Sequence, residues 1–125
     1  MKFSKKSKLF IVCFGIFVII SIYIVNLYDI FVIDGDSMAP TLKDGDVVII
    51  KRTKEIQDSD IVVIETEGVY SDIGYKYIIK RYNESKSNKG MYVVGDNEKN
   101  SIDSRDFGEI PYYMLEGKVI CKIPK

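Results

Sequence analysis

Leu9 to Tyr28, LFIVCFGIFVIISIYIVNLY, runs for twenty residues without a charged side chain. A helix of this length, rising about 1.5 Å per residue, extends about 30 Å, the thickness of a bilayer's hydrocarbon core. Lys2, Lys5, Lys6 and Lys8 crowd in front of it, and Asp29, Asp34 and Asp36 follow. Basic residues favour the cytoplasmic flank of a membrane span. The sequence therefore predicts a cytoplasmic N-terminus over 1–8, a signal anchor over 9–28 and an extracytoplasmic domain over 29–125. Tyr23 and Tyr28 then fall near the outer interface, where aromatic rings gather. A cleaved secretory signal would have an apolar core of about 7 to 15 residues and a small-x-small site, and this stretch is longer and lacks one. A buried core helix with no polar face needs more surrounding protein than the rest of the chain supplies.

Beyond the anchor the pattern changes to short β-branched runs: Ile30 to Ile33, Val47 to Lys51, Ile61 to Glu65, Lys76 to Tyr82, Met91 to Val94 and Lys118 to Ile123. Asp-Gly pairs at 34–35 and 44–45, the polar loop Asn83 to Gly90 and Gly95-Asp96-Asn97 separate them, as turn chemistry requires. The reading is a mostly β domain with no helical period after the anchor. The formal net charge is zero, and basic residues are mixed with acidic ones, which argues against nucleic acid as a partner. Cys13 and Cys121 should lie on different sides of the membrane boundary, so no disulfide is expected. Two thiols and no histidine leave no set of zinc ligands, and neither a metal nor another cofactor is expected. The lack of histidine also excludes Ser-His-Asp and Cys-His chemistry, so an activated nucleophile would have to rely on a lysine or a carboxylate.

Three segments carry the chemical possibilities. The first is Asp34 to Leu42, DGDSMAPTL, in which Ser37 stands between an Asp-Gly turn and a proline. By itself it reads as a polar loop. The second is Lys76 to Tyr82, where strand alternation sets Ile78, Lys80 and Tyr82 on one face and Tyr77, Ile79 and Arg81 on the other. Lys80 thus lies between largely apolar neighbours. To act as a base near neutral pH its pKa must fall from about 10.4 by roughly 2 to 3 units, which desolvation can supply. The plainer account is a lysine that extends its ammonium to water from an edge strand. The third is Gly95 to Gly108, GDNEKNSIDSRDFG, a polar loop in which Asp103 and Arg105 can bridge if the chain is extended, beside Ser101 and Ser104.

These segments, in this order behind an anchor, resemble the type I signal peptidase family, whose signature includes S-M-x-P-T-L, a strand bearing Lys-Arg, and G-D-N-x-x-x-S-x-D-S-R. Here they stand at Ser37 to Leu42, at Lys80-Arg81 and at Gly95 to Arg105, and Ser59 to Ile64 is similar to the family's strand between the first two, so the likeness covers about Val32 to Gly108. The resemblance implies a single transmembrane helix followed by a compact signal-peptidase-like β catalytic domain. It implies a membrane-bound serine endopeptidase that removes signal peptides from exported preproteins on the outer face of the cell membrane. Ser37 takes the nucleophile position, Lys80 the base, Ser101 the hydroxyl that orients the lysine, Asp103 and Arg105 the supporting ion pair, and Met38 part of the substrate groove, whose shallow pockets select small side chains. A Ser/Lys dyad working through an acyl-enzyme intermediate follows. The partners implied are preprotein signal peptides and the lipid bilayer, with the secretion translocon as a further candidate. Lysine at position 80 is similar to the bacterial branch, and Gly35 to a Gram-positive pattern. That glycine leaves the Ser37 N–H as the expected oxyanion donor.

The chain departs from the family at Tyr82, where a small aliphatic residue is usual, and only 14 residues separate Lys80 from Gly95. The large inserted second domain of longer members is therefore expected to be absent. The competing readings are a catalytically silent, membrane-anchored β domain that binds peptides, and a relative specialised for one substrate such as a pilin. A self-cleaving repressor shares Ser-Lys chemistry, but here an anchor stands where its DNA-binding domain would be.

Overall fold

The computed structural model describes residues 2–66 and 75–123. A helix, α1, covers Lys5–Leu27, and the strands that follow are β1 (Tyr28–Val32), β2 (Val47–Lys51), β3 (Ile61–Glu65), β4 (Tyr77–Tyr82), β5 (Val93–Val94) and β6 (Leu115–Ile123), with a short helix α2 (Ser104–Phe107) between the last two. α1 starts earlier than the uncharged stretch because Ser4 caps it, its hydroxyl accepting from the Ser7 N–H at 3.1 Å, and because lysine is a good helix former. It stops at Leu27; Tyr28 is already extended. α1 is long and apolar enough to cross a membrane, and none of its residues is buried against the rest of the chain.

The strands form one six-stranded sheet in the order β1-β2-β6-β3-β4-β5, with every pairing antiparallel. Its centre is covered on both faces. Val62 and Ile64 of β3 join Ile78, Tyr82, Met91, Val93, Ile110, Met114 and Leu115 in one apolar cluster. Val63, pointing the other way, joins Ile33, Met38, Leu42, Val48 and Ile50 in a second. Burying those side chains is what fixes the register, since a one-residue slip would turn each of them to the opposite face and out of the cluster it fills.

The differences from the sequence expectation are local. β6 begins at Leu115, ahead of Lys118, because the turn Tyr112–Met114 delivers the chain directly into it. Only Val93–Val94 of the fifth run is strand, while Met91 makes an isolated bridge to Ile110. α2 was not expected. It forms because Asp103 and Asp106 make a reciprocal capping box, each carboxylate accepting from the other residue's end of the turn, which satisfies amides that a four-residue helix cannot satisfy internally. Gly117 is required where β6 meets the end of β2, since a Cβ there would collide with the Lys51 carbonyl and lie 3.1 Å from the Arg52 Cα.

Candidate active site

The long connection between β1 and β2 holds Ser37. Met38 and Leu42 drop into the second core cluster and are each only 2% exposed, so the loop is pinned from below on either side of its turn. Above, Ala39 N–H donates to the Asp36 carbonyl at 3.0 Å and Leu42 N–H to the Met38 carbonyl at 3.0 Å. Gly35 takes a φ of +90°, a conformation that favours glycine, and donates its N–H to the Asp44 carboxylate at 2.9 Å. The turn leaves Ser37 half-buried on the wall of a cavity of about 490 Å³. Lys80, Ser101 and Met38 line the same cavity, along with Phe31, Tyr77 and Ile79. Phe31 of β1 and Tyr77 of β4 meet edge to face with centroids 5.2 Å apart, so the cavity is floored where two strands far apart in the sheet order approach each other.

The β4 face alternates as the sequence predicts: Ile78, Lys80 and Tyr82 are buried, at 7%, 5% and 5% exposure. Lys80 is not an edge lysine reaching for water. Burial pushes its amine below the ordinary lysine value, while Asp103 pulls the other way and Arg105 adds to the depression. Among the described residues no hydrogen bond holds the Lys80 amine or the Ser37 hydroxyl, and the Ser37 N–H has no acceptor. Tyr82, the departure from the family pattern, uses its hydroxyl in a 2.9 Å bond with the Tyr112 hydroxyl.

Behind Lys80, Asp103 is fully buried and densely bonded. It accepts from Gly95 N–H at 2.8 Å, from the Ser101 hydroxyl at 2.7 Å, and from Arg105 Nε and Nη2 at 2.9 and 2.6 Å. Burial alone would raise this carboxyl; the donors, Arg105 foremost, outweigh burial and hold it well below the usual carboxylate range. Asp103 in turn raises Arg105 further above its already high value. The pair bridges from a helix cap, with Arg105 inside α2, and not from an extended chain. Ser101 gives its proton to Asp103, which leaves its oxygen free to accept from an amine.

The sequence reading missed the residues that join these segments. Asp96 accepts from Arg81 Nε and Nη2 at 2.7 and 2.6 Å and from the Thr41 hydroxyl at 2.6 Å. One carboxylate thus ties β4, the serine loop and the third segment together, and the Arg81 bonds hold it below its ordinary pKa. Asn97 donates its N–H to the Ser37 carbonyl at 2.9 Å and its side-chain amide to the Asp36 carbonyl at 3.0 Å. Gly95 is pressed so closely between these parts that a Cβ would overlap Ser101 and stand 2.5 Å from the Ser37 carbonyl oxygen. The only sequence signal for this role is the Gly-Asp-Asn turn, because its partners lie as far as 61 residues away.

Among the described residues no group of His, Cys, Asp and Glu is placed to hold a metal ion. Sheet, anchor-like helix and cavity together are those of a small signal-peptidase-like domain. Residues 26–120 match the Peptidase S24-like family, and the chain belongs to it. It is 30% identical over 108 residues to the human and the mouse mitochondrial inner membrane protease subunit 1, covering 71% of this chain and 65% of either relative. It is also 30% identical over 112 residues to the Arabidopsis thaliana mitochondrial ATP-independent inner membrane protease subunit 1b, covering 71% and 66%. The chain therefore spans just under two thirds of the length of these relatives.

Proposed function

We propose that this chain is a membrane-anchored serine endopeptidase that removes signal peptides from exported preproteins, with Ser37 as nucleophile and Lys80 as general base. The observation that carries the reading is a lysine buried on a strand face, its pKa lowered by that burial, opening onto the same cavity as a serine on a rigid turn. Membership of a peptidase family and relatives named as inner-membrane proteases support it.

Neutral Lys80 takes the Ser37 proton, the alkoxide attacks the scissile carbonyl, and the lysine hands its proton to the leaving amine, giving an acyl-enzyme. Lys80 then activates water for deacylation. The unbonded Ser37 N–H is the oxyanion donor. Ser101 orients the lysine, Asp103 and Arg105 hold Ser101, and the part of Met38 that faces the cavity contacts substrate. α1 would place residues 1–8 in the cytoplasm and the sheet outside the cell membrane, where signal peptides, the bilayer and the secretion translocon are the partners. The test is cleavage of a preprotein with a small-x-small site, in lipid, by the native chain beside Ser37→Ala and Lys80→Ala. Cleavage by the native chain at that site, lost in both variants, supports the dyad; binding without cleavage by the native chain identifies a silent peptide-binding domain.

A further inference from the structure

The junction between α1 and the sheet has no linker. The helix ends at Leu27 and β1 starts at Tyr28, so any swing between membrane segment and catalytic cavity must occur at this one joint. A helix C-terminus leaves carbonyls without partners and carries partial negative charge, and α1 has no basic residue in its own last turn. Arg52, arriving from the far end of β2, supplies the missing cation. Its backbone N–H donates to the Leu27 carbonyl at 2.8 Å, and its Nη1 donates to the Asn26 and Val25 carbonyls at 3.0 and 3.3 Å. Nη2 donates to Asp29 of β1 at 2.6 Å, and Nε lies 3.8 Å from Glu116 of β6. One guanidinium thus joins the helix end, the first strand and β6 at once, and Gly117 lets β6 close on it.

We propose that Arg52 is a positioning residue that locks the membrane helix to the sheet and so sets the height at which Ser37 meets a membrane-tethered substrate. The inference rests on the proposed endopeptidase function. Ser37 follows Leu27 by ten residues, which limits its distance from the helix end to about 35 Å even for a fully extended chain. A rigid joint turns that reach into a fixed height; a loose one spreads it over an arc. A substrate that is itself anchored presents its scissile bond at one height, so only a rigid enzyme keeps the two in register. A soluble peptide diffuses to the cavity at any tilt.

The experiment compares the native chain, Arg52→Ala, Arg52→Lys and Asp29→Asn in vesicles, each with a membrane-tethered preprotein and with a soluble peptide carrying the same cleavage site. Arg52→Ala should lose about tenfold in kcat/KM on the tethered substrate through lost effective concentration, with the soluble peptide cut at the native rate. Arg52→Lys should recover only part of that loss, because an ammonium cannot span the fork, and Asp29→Asn, which keeps Arg52 in place, should show a smaller loss of the same kind. Equal losses on both substrates, or none, overturn the proposal. A second readout needs no activity. The chain has no tryptophan, so Ile102→Trp on the cavity rim is a unique fluorophore, and energy transfer to dansyl groups on the lipid headgroups gives its depth profile relative to the bilayer surface. A depth profile that broadens or shifts with Arg52→Ala supports the lock, and an unchanged profile overturns it. A native chain that cuts neither substrate defeats the endopeptidase reading, while the depth profile still decides on the lock.

Discussion

Replacing Gly95 by alanine would separate active-site geometry from general stability. A Cβ at this position stands 2.5 Å from the Ser37 carbonyl oxygen and 2.6 Å from the Ser101 Cβ, and overlaps the Ser101 Oγ. The hydroxyl can rotate away; the carbonyl and the Cβ belong to segments that are held on their other sides. Ser37 is held by Met38 in the core and by Asn97, and Ser101 by Asp103. Ordinary contact begins near 3.4 Å, so Ser37 and Ser101 must part by nearly 1 Å. A displacement of that size in a reacting group costs about 10²-fold in rate, equivalent to ~2.7 kcal/mol of barrier. Overpacking should cost a further 1 to 3 kcal/mol or so of stability.

The two effects separate against Gly90→Ala. There a Cβ would meet the Ile110 carbonyl oxygen at 2.7 Å, a similar clash, but in the strand bridge behind the first core cluster. The assay is kcat/KM on a soluble peptide together with thermal unfolding of both variants. Gly95→Ala should lose about 10²-fold in kcat/KM while still folded at the assay temperature, and Gly90→Ala should lose stability with kcat/KM near native. If Gly95→Ala cleaves at the native rate, or if both variants lose activity only in proportion to unfolding, then the close approach of Gly95 does not set the position of Ser37, the proposed nucleophile.

As the proposed general base Lys80 must be neutral to act, so kcat/KM should rise with pH along a limb lying below the ordinary lysine value of 10.5. Asp103 raises and Arg105 lowers the Lys80 pKa, so Asp103→Asn should move that limb to lower pH and Arg105→Gln to higher pH, read from pH–rate profiles. The folded protein holds Asp103 and Asp96 ionised below the usual carboxylate pKa of 3.8; their contribution to stability is complete above that value and declines as pH falls through the lower folded values, so acid unfolding should be shallower in Asp103→Asn. Asp96→Asn removes the charge from the contacts with Arg81 and Thr41 and should cost about 2 kcal/mol in denaturant unfolding, with a larger fractional loss of activity than of folded protein.

Local periodicity carried most of the fold. Alternation over Ile78, Lys80 and Tyr82 placed the lysine on a buried face, and the uncharged run after the first lysines marked α1, because these features depend on neighbours one to four residues apart. α2 has no such signature, since four residues have no hydrophobic period and the helix depends on one capping box. Of the site, Ser37, Lys80 and Ser101 do line one cavity, and Asp103 does pair with Arg105. What the sequence could not show is how the three segments are held at a common distance. Asp96, Asn97 and Gly95 do this through a carboxylate, an amide and a missing side chain, and such partnerships leave no trace in periodicity.

Lys80 itself explains why so much of the small domain is committed to that holding. A desolvated amine gives up its charge at lower pH than an exposed one, and Lys80 sits on the buried face of β4 with Ile78 and Tyr82. The same burial removes the water that would otherwise keep the amine aimed, and no hydrogen bond holds it among the described residues. Its direction must come from fixed groups, and Ser101, on the same cavity, is itself fixed by Asp103, which is fixed by Arg105 and Gly95. For the proposed base, lowering the pKa and orienting the amine are therefore coupled demands. A substitution that admits water beside Lys80, such as Ile78→Ser, should raise its pKa and loosen its aim together, flattening and shifting the pH–rate limb at once. The opposite result, a limb moved to higher pH with an unchanged plateau, would show that burial tunes the proton alone and that the scaffold around Asp103 is not what aims the amine.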